Sequence, residues 1–362
     1  MQTYNELSEG AGDGYGKNWN QFPKDGKGST PLYLKRNIYA FSGAKSYAIL
    51  EQLNDLLIDQ DGKLRPYNEF QQLARKINEN FNKNYLQAEY QTARTAAQMA
   101  EKWERLQETK DLFPNLKFRT VGDDRVRDDH EKLNGIIKPI DDDFWSKYYP
   151  PLDWRCRCDV VATAETEDKG EPKDLPPVKF KGNVGKDKEI FTKKGSFFQL
   201  LKTNERAERN AELSKLVAPY DVTYKSKRGK ILKENIFADS NGLIENRENA
   251  ILIIDNLNLN VSIEAHLNGR IITNHKNPEY KINGKIADLK TPDSNYKNIL
   301  RKAATQKCEF VVINLATKND TIEIARKLIK NILKHKDVHP SIKHVILISK
   351  DKKVSIYERS EI

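Results

Sequence analysis

The first third of the chain repeats apolar residues at helical spacing. From Tyr39 onward, apolar side chains return every three or four positions, the period of an amphipathic helix, until Gly62 interrupts them. Two further helices are predicted over residues 67–77 and 84–108, and a short strand over 118–121. The pattern therefore predicts a mainly α-helical N-terminal part.

The last third of the chain has a mixed pattern. Alternating or continuous apolar runs predict strands, and longer stretches with a period near 3.6 predict helices. In chain order the predicted elements are a helix over 244–257, strands over 262–266 and 270–274, a hairpin over 280–291, a helix over 295–307, a strand over 310–315, a helix over 321–334, and strands over 345–348 and 354–357. This order predicts an α/β domain with a mixed central sheet and flanking helices.

Glycine, proline and charge mark the segments between these parts. Residues 1–35 are rich in glycine and proline, which predicts a flexible arm. Residues 161–180 are charged, proline-rich and aperiodic, as linkers are. The predicted organisation is an arm over 1–35, a helical module over 36–160, a linker and transition segment over 161–240, and an α/β domain over 241–362.

Asn283-Gly284 lies between two short alternating runs, which is the strongest short-range signal for a two-residue hairpin turn. Counting outward pairs Ile282 with Lys285, Lys281 with Ile286, Tyr280 with Ala287, and Glu279 with Asp288. Facing carboxylates have β-carbons about 4.5–5.5 Å apart and repel each other. Lys290 projects on the same face as Asp288, because side chains alternate along a strand. Two acids and a lysine can bind a divalent cation beside a phosphate; the alternative is an exposed hairpin with scattered charges.

Composition restricts the class of protein. Of the 362 residues, 31% are charged and 38% are hydrophobic, with a mean hydropathy of −0.76. No run approaches the roughly 18 apolar residues of a membrane span, and the polar start of the chain does not match a signal peptide. Three cysteines do not make a disulfide framework, so we expect synthesis in a reducing compartment.

The net charge of +10 is distributed unevenly. Residues 242–362 hold 21 lysines and arginines against 14 acidic residues, whereas residues 1–160 hold 24 against 25. Basic side chains neutralise phosphates, so a polyanionic partner such as nucleic acid fits the last third of the chain. A lysine-rich, solubilising surface is the alternative.

Several motifs between residues 89 and 158 carry a family resemblance. They are Glu89-Tyr90-Gln-Thr92-Ala93, the run from Arg119 to His130, and Phe144-Trp145 followed by Tyr149-Pro-Pro-Leu-Asp-Trp-Arg-Cys-Arg-Cys158. Together they resemble the phage Mu F-like minor head family, also called the phage head morphogenesis family, over roughly residues 35–160. The resemblance implies a mainly helical minor capsid component near the portal vertex, with phage portal and head proteins as partners.

His130, Cys156 and Cys158 allow two interpretations. Thiolate and imidazole groups are good zinc ligands, but Cys-x-Cys with one histidine lacks the usual four ligands and two-residue spacers. The alternative is a structural knot in which Trp154 is buried and the neighbouring arginines pair with aspartates. The arginines are Arg155 and Arg157, and the aspartates are Asp123, Asp124 and Asp141.

The hairpin region carries a second resemblance. Asn277-Pro-Glu-Tyr-Lys-Ile-Asn-Gly-Lys-Ile-Ala-Asp-Leu-Lys-Thr-Pro292 and the later Ala304-Thr-Gln306 are similar to the C-terminal tRNase domain of CdiA-type contact-dependent inhibition toxins. The resemblance covers about residues 240–362 and implies a PD-(D/E)xK-like nuclease fold. One departure is Glu279, which stands where the motif usually has aspartate and is one methylene longer.

The second resemblance implies metal-assisted hydrolysis of a phosphodiester bond. Glu279 and Asp288 would hold Mg²⁺ or another divalent cation. Lys290 would orient or activate the nucleophile, or balance charge on the developing phosphorane. These three residues are the predicted catalytic core of the hairpin.

The same family uses a glutamate of the first helix. Glu248 is the predicted residue because Arg247-Glu248-Asn249-Ala250 matches that helix best, and Glu245, three residues away, stays open. Thr291 and Gln306 are predicted to bind substrate or position the lysine.

Together, the two resemblances predict a phage-associated polymorphic toxin. Its C-terminal domain would cleave tRNA in target bacteria, and a cognate immunity protein would be its partner. The chain would be made in the bacterial cytoplasm and then carried in the virion or delivered to the cytoplasm of a target cell. Two alternatives stay open: a virion structural protein whose C-terminal domain binds nucleic acid without cleaving it, and a DNA nuclease.

Overall fold

The computed structural model describes residues 1–21, 29–168, 174–192, 195–202, 205–291, 295–317, 319–335 and 337–361. The chain divides into two compact units, with the division between Ala211 and Glu212. The first unit is mainly helical and the second contains a large mixed sheet. The predicted architecture of a helical N-terminal module and a C-terminal mixed-sheet domain is therefore confirmed.

Helices dominate the first unit, and the last of them crosses into the second. Their bounds are α1 Gln2–Tyr15, α2 Thr30–Asp55, α3 Tyr67–Glu79, α4 Leu86–Glu108, α5 Asp128–Glu131, α6 Trp145–Tyr148, α7 Val184–Asp187, α8 Ser196–Lys202 and α9 Glu205–Ser214. A π-helical turn over Asn80–Tyr85 joins α3 to α4. A small antiparallel sheet has β1 (Asn115–Arg119) between β2 (Ile137–Pro139) and β3 (Asp159–Thr163).

Helix α1 occupies much of the segment predicted as a flexible arm, and that prediction is wrong for Gln2–Tyr15. Leu7 and Ala11 are fully buried, and α1 packs chiefly on α4. The approach is close: a β-carbon at Gly14 would lie 2.0 Å from the backbone oxygen of Arg94. The glycines that suggested a loose chain instead let two helices pack tightly.

The second unit is built on one eight-stranded sheet. Its elements are β4 Tyr220–Lys225, β5 Ile231–Asn235, α10 Leu243–Leu257, β6 Val261–Ile263, β7 Tyr280–Ile282, β8 Lys285–Lys290, α11 Tyr296–Thr305, β9 Phe310–Asn314, α12 Ile322–Leu333, β10 His344–Ile348 and β11 Val354–Glu358. The strand order is β11-β10-β9-β8-β7-β6-β5-β4. The pairs β8–β9, β9–β10 and β5–β6 are parallel and the others are antiparallel.

Two strands of this sheet come from the predicted linker and transition segment, so that prediction is wrong for β4 and β5. The start of the segment is also ordered, because Glu165 forms an ion pair with Lys117 of β1 at 2.9 Å. Strand β4 was missed although Tyr220, Val222 and Tyr224 alternate with polar residues, because the segment was interpreted as a connector, and its side chains are largely half-exposed. Residues 169–173 and 203–204 of the predicted segment lie outside the described residues.

The strand predicted over residues 270–274 does not form. The N–H groups of Ile271 and Ile272 donate to the carbonyl oxygen of Asn268 at 3.0 and 2.9 Å. The side chain of Asn268 also accepts from the N–H of Arg270 at 3.0 Å. An asparagine that accepts hydrogen bonds from the N–H groups two to four residues later favours a turn. Here that preference is stronger than the strand preference of Ile271 and Ile272.

Helices cover both faces of the large sheet. Helix α10 packs on a core that includes Tyr280, Ala287 and Leu289, while α11 and α12 pack on the opposite face. The hydroxyl of Tyr280 donates to the carbonyl oxygen of Asn246 on α10 at 2.7 Å. Because side chains alternate along β8, Asp288 projects away from α10 and towards α11.

Strand β4 forms one edge of the sheet. Its pairing with β5 is irregular, because the register shifts between Val222 and Tyr224. Such a shift marks a β-bulge, which bends the strand and interrupts its ladder. The edge strand is therefore neither flat nor regular.

A buried ion pair joins two helices of the first unit. The Nζ atom of Lys45 on α2 lies 2.6 Å from a carboxylate oxygen of Glu89 on α4, and their side chains are 2% and 3% exposed. The same ammonium group donates to the carbonyl oxygen of Phe81 at 3.0 Å. Burial raises the pKa of Glu89, and Lys45 offsets part of that shift.

We expect Lys45→Met to lower the free energy of unfolding of the first unit by about 3–5 kcal/mol near neutral pH, because it leaves a buried carboxylate unpaired. The variant raises the pKa of Glu89 further, so the native state binds that proton more tightly than the unfolded chain does. The loss should therefore shrink as acidification neutralises Glu89. Urea unfolding at neutral and mildly acidic pH, followed by tryptophan fluorescence, measures this, since all 4 tryptophans lie in the first unit.

The control is Arg105→Met, which removes a more exposed ion pair with Glu101 on α4. It should cost less than about 1 kcal/mol at either pH. A loss for Lys45→Met that is equally large at both pH values would contradict the role assigned to Glu89.

Candidate active site

The predicted hairpin forms with the predicted register. Strands β7 and β8 pair Ile282 with Lys285, Lys281 with Ile286, and Tyr280 with Ala287. Asn283 and Gly284 both have positive φ, at 46° and 81°, as a type I′ turn requires. The turn fixes which side chains of β8 face each side of the sheet.

Asp288 is the central residue of the site. Its side chain is 0% exposed, yet it is a carboxylate on a strand with neighbours on both sides. Its Oδ2 atom lies 2.7 Å from Lys290 Nζ and accepts a hydrogen bond from Gln306 Nε2 at 2.9 Å. Burial raises the pKa of Asp288, and the charge and hydrogen bonds of these two partners oppose that rise.

Lys290 also approaches Glu279, so one lysine lies against both predicted acids. Its Nζ atom lies 3.8 Å from Glu279 Oε1. The structure therefore brings Glu279, Asp288 and Lys290 together, and the lysine moderates the repulsion predicted for the facing acids.

Three buried oxygen atoms at this site have no hydrogen-bond partner within the described part of the chain: Asp288 Oδ1, Glu279 Oε2 and Gln306 Oε1. Leaving a buried acceptor unsatisfied costs about 1–3 kcal/mol, and more for a charged group. Two carboxylate oxygens and an amide oxygen are the donor types that hard divalent cations prefer. The residues present therefore fit a bound Mg²⁺ ion.

Of the two candidate helix glutamates, Glu245 contacts the residue that follows β8 and Glu248 does not, and within the described part of the chain neither contacts Asp288, Glu279 or Lys290. Thr291, the residue after β8, donates its hydroxyl to Glu245 Oε1 at 2.6 Å. Glu248 is exposed and has no hydrogen bond or ion pair among the described residues. Arg247 sets the rotation of the helix, because its guanidinium group pairs with Glu234 of β5 at 2.7 Å.

The predicted positioning residues therefore have different contacts. Gln306 lies at the end of α11 and donates a hydrogen bond to Asp288, whereas Thr291 donates to Glu245 and makes no contact with Lys290 within the described part of the chain. The pairing of Arg247 with Glu234 was not predicted, because Glu234 lies in a segment that was expected to be a linker. A correct prediction of β5 would have placed Glu234 on a strand next to the helix that carries Arg247. That placement would have indicated the ion pair.

Family comparisons agree with the division of the chain into two modules. Residues 66–161 match a family described as Phage Mu protein F like protein. Residues 276–354 match a family described as Contact-dependent growth inhibition CdiA C-terminal domain. The chain thus contains two separate regions that are similar to two different families. One region is similar to Mu F-like proteins and the other to CdiA C-terminal domains, and both predicted resemblances are confirmed.

Individual relatives match only part of the chain. The capsid assembly protein F of Escherichia phage Mu is 36% identical over 70 residues, which are 19% of this chain and 16% of that protein. The Mu-like prophage FluMu F protein of Haemophilus influenzae is 41% identical over 76 residues, which are 21% of this chain and 16% of that protein. The chain therefore aligns with about one sixth of the length of these relatives.

Among solved structures, the CdiA-CT/CdiI toxin and immunity complex from Burkholderia pseudomallei is similar to part of the chain. The match has 22% sequence identity and a TM-score of 0.26, and it covers 33% of this chain and 86% of that chain. Among the described residues, no helix is both long enough and apolar enough to span a membrane.

Proposed function

We propose that the second unit is a metal-dependent nuclease that hydrolyses tRNA in target bacteria, with a PD-(D/E)xK-like site. The observation that carries this proposal is a set of three buried oxygens of Asp288, Glu279 and Gln306 that have no hydrogen-bond partner among the described residues, next to a lysine on the same face of β8. The first unit is proposed to act as a minor head component. The whole chain is then a phage-associated toxin.

Each carboxylate divides its two oxygens between two tasks. Asp288 uses Oδ2 for Lys290 and Gln306, and Glu279 directs Oε1 towards Lys290. Asp288 Oδ1 and Glu279 Oε2 are then free to hold Mg²⁺ or another divalent cation, with Gln306 Oε1 as a third ligand. When bound, such a cation supplies Lewis-acid stabilisation of phosphoryl charge and lowers the pKa of a coordinated water.

Lys290 supplies positive charge at the phosphate. Its contacts with two acids hold the ammonium group at the site before substrate arrives, so little reorganisation is needed as charge develops. Gln306 is a positioning residue, because it fixes the orientation of the Asp288 carboxylate through one hydrogen bond. Glu245 takes the place proposed for the helix glutamate and is oriented by Thr291.

The choice of tRNA is supported by the resemblance of the hairpin string to CdiA-type tRNase domains and by the basic surplus of residues 242–362. A toxin of this kind requires a cognate immunity protein in the producing cell. We propose that the chain is made in the bacterial cytoplasm, associates with phage portal or head proteins, and enters the cytoplasm of a target cell.

We expect Mg²⁺ to raise the unfolding temperature of the second unit, because a ligand that binds only the native state adds about 2.7 kcal/mol at a hundredfold excess over its Kd. Asp288→Asn should abolish this rise. Glu309→Gln is the matched control, since Glu309 is an acid that contacts the same hairpin through Lys285 at 3.3 Å. Calorimetry of the full chain, with and without Mg²⁺, measures the unfolding temperature of the wild type and of both variants. If Mg²⁺ raises the unfolding temperature of Asp288→Asn as much as that of the wild type, the cation binds elsewhere.

Cleavage is tested by incubating tRNA and, separately, plasmid DNA with the full chain and with a fragment that starts at Glu212, where the second unit begins. We expect tRNA cleavage with Mg²⁺ and none with EDTA. Lys290→Ala should reduce the rate by about 10²–10³-fold, because it removes preorganised charge from the phosphate. Plasmid cleavage with intact tRNA would favour the DNA nuclease. Binding of both without cleavage would favour the non-catalytic alternative.

The helix glutamate is tested with two variants of the same chemistry. Glu245→Gln should lower the cleavage rate about tenfold or more, which corresponds to about 1.4 kcal/mol of transition-state stabilisation. Glu248→Gln, three residues away and exposed, should leave the rate within about twofold. The opposite ranking of the two variants would restore Glu248 to the site.

A further inference from the structure

A second group of metal-binding side chains lies in the first unit, outside the candidate active site. His130 belongs to α5, and Cys156 and Cys158 lie in the loop before β3. All three side chains are buried, and their ligand atoms lie within 4.8 Å of one another. Both cysteines are free thiols.

The distances fit a tetrahedral metal site. The Nδ1 atom of His130 lies 3.7 Å from Cys156 Sγ and 3.5 Å from Cys158 Sγ. Zinc–sulfur bonds of about 2.3 Å and zinc–nitrogen bonds of about 2.0–2.1 Å at tetrahedral angles separate sulfur from nitrogen by about 3.6 Å. Hydrogen bonding accounts for the cluster less well, because a neutral imidazole offers one acceptor nitrogen to two thiols.

The surrounding contacts hold the loop in place, as the predicted structural knot requires. Arg157, between the two cysteines, makes a bidentate pair with Asp123 at 2.6 and 2.7 Å. Trp154 is only half-buried, and its carbonyl oxygen accepts a hydrogen bond from Arg127 at 2.9 Å. Of the other predicted partners, Arg155 is exposed and Asp141 pairs with Lys110 instead.

One residue of the cluster also borders a cavity that offers room for a fourth ligand. Cys156 lines a cavity of about 750 Å³ whose walls carry Arg94, Arg125, Arg127, Arg155 and Arg157. A cavity of this size admits a hydrated ion and leaves space for a water molecule as the fourth ligand.

We propose that His130 Nδ1, Cys156 Sγ and Cys158 Sγ bind one zinc ion, with a water molecule as the fourth ligand. The ion ties α5 to the start of β3 and so closes the loop between them. Imidazole and thiolate ligands select zinc over the hard cations suited to the oxygen site of the second unit. The inference concerns the first unit and is independent of the proposed nuclease activity.

The test uses the full chain without a polyhistidine tag, purified under reducing conditions from zinc-supplemented cells. Elemental analysis should find about one zinc per chain in the wild type. Cys308→Ser, which alters the third cysteine, and Asp288→Asn, which alters the other metal site, should keep it. The double variant Cys156→Ser/Cys158→Ser should retain less than about a tenth of that zinc.

A variant that fails to fold would also lose zinc. A second measurement, made on the wild type, distinguishes that loss from the loss of a ligand. Replacing zinc with Co²⁺ should give a thiolate-to-cobalt charge-transfer band and intense tetrahedral visible bands in the wild type and in Cys308→Ser. Cys158→His should keep metal binding and shift the cobalt spectrum, because one sulfur ligand becomes nitrogen.

Two results would overturn the proposal. One is a folded wild type that holds less than about a tenth of an equivalent of zinc after incubation with the metal and shows no cobalt–thiolate band. The other is undiminished zinc in the double serine variant.

Discussion

Burial of the Asp288 carboxylate is the constraint on which the arrangement of the second unit depends. A charged oxygen pair inside an eight-stranded sheet is costly unless every oxygen has a partner. Lys290 comes from the same strand, Gln306 from the end of α11, and Glu279 from the position just before β7, the strand paired with β8. The turn, the helix end and the strand register must therefore all be correct at once. Taken alone, the buried Asp288 carboxylate is unfavourable for the fold, and the surrounding elements must supply its partners. Residues that cost stability in this way are typical of functional sites.

The features that the sequence predicted well are those encoded by neighbouring residues. Asn283-Gly284 specifies its turn through two positive φ angles, and the register of three residue pairs follows by counting. The convergence of Glu279, Asp288 and Lys290 needed only that register. The cap of α12 is equally local, because Thr321 accepts from the N–H of Ile324.

The features that the sequence predicted poorly depend on distant partners. Glycines in α1 suggested a flexible arm, but Gly14 is required by the backbone of Arg94, eighty positions along the chain. Strand β4 is largely half-exposed, and its structure depends on pairing with β5. The choice between Glu245 and Glu248 depends on how α10 is rotated. That rotation is set by two contacts, Arg247 with Glu234 and the Tyr280 hydroxyl with the Asn246 carbonyl. The pattern of a single sequence does not show that these residues pair.

The irregular pairing of β4 bears on how the chain behaves when many copies are close together. An open strand edge offers unpaired N–H and C=O groups to any passing β-strand, and it is a common start of aggregation. The register shift at Val222 breaks that template, and charged residues such as Asp221 and Lys225 make the edge a poor partner for another strand. The bulge therefore makes this edge of the sheet a poor template for strands of other copies, whereas β11, at the opposite edge, pairs with β10 without a register shift.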